Sequence, residues 1–165
     1  MVDISFKLDP EILIGKDTIN RAGSLCSPFG SRILIVTEQV LYENKSIQRL
    51  VGILEDAGLE AIIFDEVPAQ ATADVAESVA DLARGARVST IIGFGGLKTQ
   101  TIARVAAIIG KSSLSIFDLL DGKNLPGTVL FVLGAAREKA CLYAEMSQEL
   151  TGISGILAGN GTDGL

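Results

Sequence analysis

The sequence predicts an α/β protein: a doubly wound, mostly parallel sheet with helices on both faces. Strand-like apolar runs alternate with amphipathic helical stretches along the chain, and the intervening lengths suit parallel crossovers. The strand runs, such as "ILIV" at 33–36 and "TIIGF" at 90–94, are apolar throughout, as strands buried on both faces are. Apolar residues make up 48% of 165 and mean hydropathy is +0.42, which a buried parallel sheet accounts for. One domain is expected over 1–157, followed by a Gly-rich polar tail over 158–165.

The elements follow in order. "ISFKL" (4–8) alternates and reads as an edge strand, and "EILIG" (11–15) as a second short strand. In "KDTINRAGSLCSPFG" (16–30), Ile19, Ala22 and Leu25/Cys26 fall at helical spacing, Asp17 or Thr18 offers a cap, and Pro28 and Gly30 end the segment. "SRILIVTE" (31–38) is a buried strand. "NKSIQRLVGILEDAGLE" (44–60) is an amphipathic helix with Ile47, Leu50, Val51 and Leu54 on one face and Gly58 closing it. "EAIIFDEV" (60–67) is the next strand. Thr72 caps the helix "ADVAESVADLARGAR" (73–87), which turns Val75, Val79 and Leu82 inward. "VSTIIGF" (88–94) is a strand and "KTQTIARVAAIIG" (98–110) a helix with Ile102, Val105, Ala106 and Ile109 inward. A loop with a short helix spans 112–127, "TVLFVLG" (128–134) is a strand, and 137–152 reads as an amphipathic helix.

Charge and composition narrow the function. A net charge of −6 and a pI near 4.6 point away from nucleic acid and anionic membranes as partners. Histidine is absent, which removes the commonest metal ligand and neutral-pH base. Cys26 and Cys141 form no CxxC pair and read as reduced thiols. The opening "MVDISFKLDPE" does not read as a signal peptide, and no apolar run approaches the roughly 20 residues that span a bilayer, so a cytoplasmic protein is expected. The apolar content also fits a homo-oligomer or a protein partner.

Chemistry concentrates at "GFGGLKTQ", 93–100. A strand delivers the chain to Gly95-Gly96 and a helix begins directly after. Free N–H groups and the positive end of the helix dipole favour an anion there, and glycine lets backbone approach it. The stretch is not GxGxxG, because Lys98 holds the third glycine position, and not a P-loop, because Leu97 stands before Lys98-Thr99. From these residues alone, an anion cradle and a tight strand–helix turn without ligand both remain open.

"VSTIIGFGGLKTQTIARVAAI" resembles the nucleotide-binding signature of the iron-containing alcohol dehydrogenase family, which includes glycerol dehydrogenase and the dehydroquinate synthases. That signature reads apolar strand, GxGGGS, two residues, then D-x-A-K. "PEILIGKDTINRAGSL", "SRILIVTEQVLY" and "IIFDEVPAQATADVAESV" are similar to other segments of the same half, so the likeness covers about residues 10–110. It implies a Rossmann-like NAD(P)-binding domain. Gly93, Gly95 and Gly96 match; Leu97 replaces the third glycine, Lys98 the serine, Thr101 the aspartate and Arg104 the lysine. Glu38 falls where the family's aspartate touches the adenosine ribose. In "PAQAT", Thr72 is kept while Gln70 and Ala71 replace Asn-Pro. The nicotinamide-contacting signature corresponds to "FVLGAAREK" (131–139) and has lost its threonines, serine and glutamate.

The family holds its metal through an aspartate and histidines in a helical second half, which has no counterpart in this sequence. The resemblance therefore implies a stand-alone, divergent domain that binds NAD or NADP weakly or vestigially, through Glu38, Thr72, Gly95, Gly96, Leu97, Lys98 and Thr101. No catalytic residue and no metal ligand are assigned. Two alternatives stand beside it: a fragment or divergent form of a metal-dependent alcohol dehydrogenase, and a scaffold on a vestigial Rossmann-like fold that binds a partner protein.

Overall fold

The computed structural model describes residues 12–15, 17–43, 46–70, 72–123, 130–136 and 155–160. The strand expected over 4–8 and the helix expected over 137–152 lie outside them. Among the described residues six strands form one sheet: β1 Ile12–Gly15, β2 Arg32–Thr37, β3 Glu60–Phe64, β4 Thr90–Phe94, β5 Phe131–Ala136 and β6 Gly155–Asn160. Their order is β1-β6-β5-β4-β2-β3, and every pairing between them is parallel. The helices are α1 Ala22–Cys26, α2 Gln39–Glu43, α3 Ser46–Asp56, α4 Ala73–Gly85, α5 Leu97–Ile109 and α6 Ile116–Leu120.

The continuous apolar runs are explained by two cores. Leu34, Val36 and Ile91 pack with α4 and α5 residues Val79, Ala80, Ala83, Ala103 and Ala106 on one face. Ile33, Ile35, Ile92 and Phe94 pack with Ile19, Ala22 and Cys26 and with Ile47, Leu50 and Leu54 on the other. Side chains along β2 and β4 alternate between faces, and because both faces are covered, apolar residues fill 33–36 and 91–92 without a break. Small alanines on α4 and α5 let those helices approach the sheet closely.

Several local expectations are corrected. Ala158, Gly159 and Asn160, placed in a tail by sequence, belong to β6 and pair with β1 or β5. On α5 the buried set is broader than Ile102, Ala106 and Ile109: Ala103, Ala107 and Ile108 are buried too, while Val105 is only half-buried, because α5 is packed by sheet and α4 together. Asp17 stands at the N-cap of the 3-10 turn Thr18–Arg21 in a left-handed conformation, but its side chain makes no cap bond; its carboxylate pairs with Arg49 at 2.6 Å. Thr72 is the N-cap of α4 as expected, again without a side-chain cap bond. Gly58, at φ 76°, ends α3 as expected.

The sheet order positions a crevice. From β2 the chain moves outward to β3, returns past β2 to β4, and continues the opposite way to β5 and β6. The carboxyl ends of neighbouring β2 and β4 thus face segments that leave in opposite directions. Such a switch point is where open α/β sheets take ligands.

Candidate functional site at the β2–β4 switch point

Glu38 follows the last residue of β2, and Gly95-Gly96 follow the last residue of β4. Thr37 Oγ1 donates to the Phe94 carbonyl at 2.9 Å in a buried bond, joining the two strand ends. Gly95 has φ 155°, a region side chains rarely adopt, and a Cβ there would meet Thr99 Oγ1 at 2.9 Å. Its carbonyl accepts from buried Gln100 Nε2 at 3.0 Å. The loop is therefore fixed by the helix it introduces.

Gly96 is the N-cap of α5 in extended backbone, φ −74° and ψ −174°, with open space where a Cβ would point. Having no side chain, it offers no cap to the first-turn amides, which lack intrahelical acceptors. Leu97 is 48% exposed, so its side chain is turned to solvent. Lys98 comes next, its ammonium 3.8 Å from Glu38 Oε1, both side chains about a quarter exposed. Glu38 Oε1 also accepts from Thr99 Oγ1 at 2.9 Å. An ion pair this exposed contributes under about 1 kcal/mol to stability, but it sets the charge seen by a ligand.

Of the residues expected at the site, Glu38, Gly95, Gly96, Leu97 and Lys98 are brought together. Thr101 is exposed one turn into α5, and its hydroxyl donates to the Leu97 carbonyl at 2.8 Å. Thr72 lies at the same end of the sheet, beyond β3 at the edge. Sequence reasoning missed Thr37, Thr99 and Gln100, all buried polar residues that stitch the crevice. Polar side chains among α5's inward positions were the available signal. Arg104, at the family's lysine position, is half-buried with no ion pair or hydrogen bond among the described residues; burial lowers its pKa.

No cluster of three or more His, Cys, Asp or Glu able to hold a metal occurs among the described residues. Asp118 closes a capping box on α6 with Ser115. A hydrogen bond from Lys123, then one from the Ser115 amide, holds its carboxyl below the usual carboxylate range. Among the described residues, no donor set for iron is brought together. No described helix is long and apolar enough to cross a membrane.

A parallel sheet wound both ways from β2, with an open helix N-terminus at the reversal, defines an α/β domain of the Rossmann-like class. Residues 9–136 match the model of the iron-containing alcohol dehydrogenase family, and the chain belongs to that family. The bifunctional aldehyde-alcohol dehydrogenase AdhE of Escherichia coli is 32% identical over 74 residues, which span 45% of this chain and 8% of that protein. In structure the chain is similar to sulfoacetaldehyde reductase from Bifidobacterium kashiwanohense in complex with NAD+, with a TM-score of 0.73 at 17% identity, over 82% of this chain and 36% of that one. NADH-dependent butanol dehydrogenase A from Thermotoga maritima gives a TM-score of 0.73 at 19% identity, over 81% and 34%. The chain thus spans little more than a third of these structures, and its likeness to them is one of fold.

Proposed function

We propose that this chain binds the adenosine diphosphate half of NAD(P) at the β2–β4 switch point, weakly and without catalysis of its own. The observation that carries this reading is the N-terminus of α5: Gly96 has open space beside it, Leu97 is exposed and does not bury into the core, and Lys98 and Glu38 flank the approach. Diphosphate would rest on the first-turn amides of α5, with Lys98 beside it, and a ribose hydroxyl would meet Glu38. NAD(P), when bound, supplies a hydride acceptor or donor. The dehydrogenases of like fold whose names specify NAD+ or NADH support this ligand class. Weakness is expected because Leu97 replaces a family glycine where backbone should approach the anion. Turnover of an alcohol would require metal-holding groups that the described residues do not supply.

Calorimetric titration with NAD, NADP and ADP tests the reading. Binding in the high-micromolar to low-millimolar range, weakened in Gly96→Val, is expected. Absence of heat or competition from all three at millimolar concentration would remove it. A second reading, a scaffold for a protein partner or a second copy, is favoured by α6, where Phe117 and Leu120 are exposed. Light scattering checks it: a monodisperse monomer counts against self-association.

A further inference from the structure

The Glu38–Lys98 pair bears on which dinucleotide the crevice admits, an inference that rests on the nucleotide reading above. A carboxylate at the end of a strand selects an unphosphorylated ribose in two ways. It accepts a hydrogen bond from the 2′-hydroxyl, and its charge repels a 2′-phosphate. Both effects need an uncompensated carboxylate.

Glu38 is not one. Its Oε1 accepts from Thr99 Oγ1 at 2.9 Å, and Thr99 is fully buried, so that donor is fixed in α5. The Lys98 ammonium lies 3.8 Å from the same oxygen. That distance makes an ion pair but not a hydrogen bond, so the three ammonium donors are not committed to Glu38. Both side chains keep solvent exposure, 28% for Glu38 and 26% for Lys98, and are reachable from the crevice. Lys98 also stands in the first turn of α5, where the helix field favours an anion. Glu66, whose backbone bridges that of Glu38, is exposed, where solvent weakens its effect.

We propose that Lys98 cancels the selectivity of Glu38, so that the crevice takes 2′-phosphorylated and unphosphorylated adenine dinucleotides with comparable affinity. A phosphate on the ribose meets a paired, near-neutral site and a cation free to turn toward it. Glu38 Oε2 remains to accept a ribose hydroxyl when no phosphate is there.

Titrating the full chain with NAD and NADP, which differ only in that phosphate, tests this. The wild-type affinities should agree within about tenfold, and Lys98→Ala should shift the ratio toward NAD by about tenfold, the size of one charge–charge contact at a partly exposed site. Lys98→Arg should keep the wild-type ratio, and the near-isosteric Glu38→Gln should shift it toward NADP. Unchanged thermal midpoints establish that the variants fold. If both dinucleotides bind and Lys98→Ala weakens them equally, Lys98 is a general phosphate contact and the inference is overturned while the nucleotide reading stands. A wild-type preference of a hundredfold for NAD also overturns it. Failure of both to bind at millimolar concentration removes the nucleotide reading and this inference together.

Discussion

Gly95 and Gly96 are chemically identical and adjacent, yet they do different work. Gly95 holds φ 155° and has Thr99 pressed against the place a Cβ would occupy. Gly95→Ala should therefore cost about 1–3 kcal/mol, the usual strain of a side chain in such a region, read as a lower urea midpoint. Gly96 has ordinary extended backbone and free space around it. Gly96→Ala should cost less than about 1 kcal/mol, the spread among N-cap residues, while its methyl narrows the amide face and weakens nucleotide binding. If Gly95→Ala proves as mild as Gly96→Ala, the loop is not fixed as described. The buried Cys26 gives a second residue-scale test. Burial pushes its thiol from 9.0 up to about 12. Between those values the folded chain keeps a proton that the unfolded chain loses, so stability falls as pH rises. The slope should approach about 1.4 kcal/mol per pH unit above pH 9, and Cys26→Ala should flatten it in urea titrations from pH 8 to 10.5.

At the scale of elements, α5 shows why the site was only partly legible. Its start after two glycines, with Gly95, Gly96 and Lys98, could be read from sequence because strand, loop and helix signals are local, whereas Glu38 comes from the family resemblance. The partners of Thr37, Thr99 and Gln100 could not, since each bond joins residues brought near only by packing or by the loop's fold. Nor does spacing reveal that Gly93 serves packing: a Cβ there would lie 3.0 Å from Ala103 Cβ and from Gln100 Cα, so it lets α5 lie close on β4. Two of the three matching glycines thus have structural reasons, and the glycine pattern alone overstates the case for a ligand. The far end of α5 is held by another non-local contact. Arg84 on α4 donates to the Ile109 carbonyl at 2.8 Å and to the Ser112 carbonyl at 3.3 Å, and pairs with Asp81. Arg84→Met should cost about 1–2 kcal/mol through two carbonyls left without a charged donor, with amide exchange near 109–112 quickening first. Exchange rising equally across α4 and α5 would show instead that the residue supports the whole layer.

The whole molecule depends on a pairing that hydrophobic periodicity does not disclose. Periodicity identifies β1 as a strand, but says nothing of its neighbours, because every strand here is a short apolar run that could pair with any other. The structure places β1 at one edge, with β6 as its sheet neighbour, in register from Ile12 against Leu157 to Gly15 against Asn160. β6 is in turn paired to β5 from Val132 against Gly155 to Ala136 against Gly159. The strand near the start of the sequence is thus held by the strand near its end, and neither borders the β2–β4 crevice, since β5 stands between. Deleting residues 155–165 removes the ladder partner of β1 and exposes β5 as an edge, so the loss should spread beyond the deleted segment. We expect amides of 12–15 to lose protection from hydrogen exchange, while β2, β3 and β4, which pair among themselves, keep theirs. The thermal midpoint should fall by several degrees, since domains are stable by only about 5–15 kcal/mol in total. Because the crevice is built from β2, β4 and α5, NAD affinity of the folded fraction should change little. Retained protection at 12–15 in the shortened chain would mean that β1 is held by something other than β6, and the edge of the sheet would have to be redrawn.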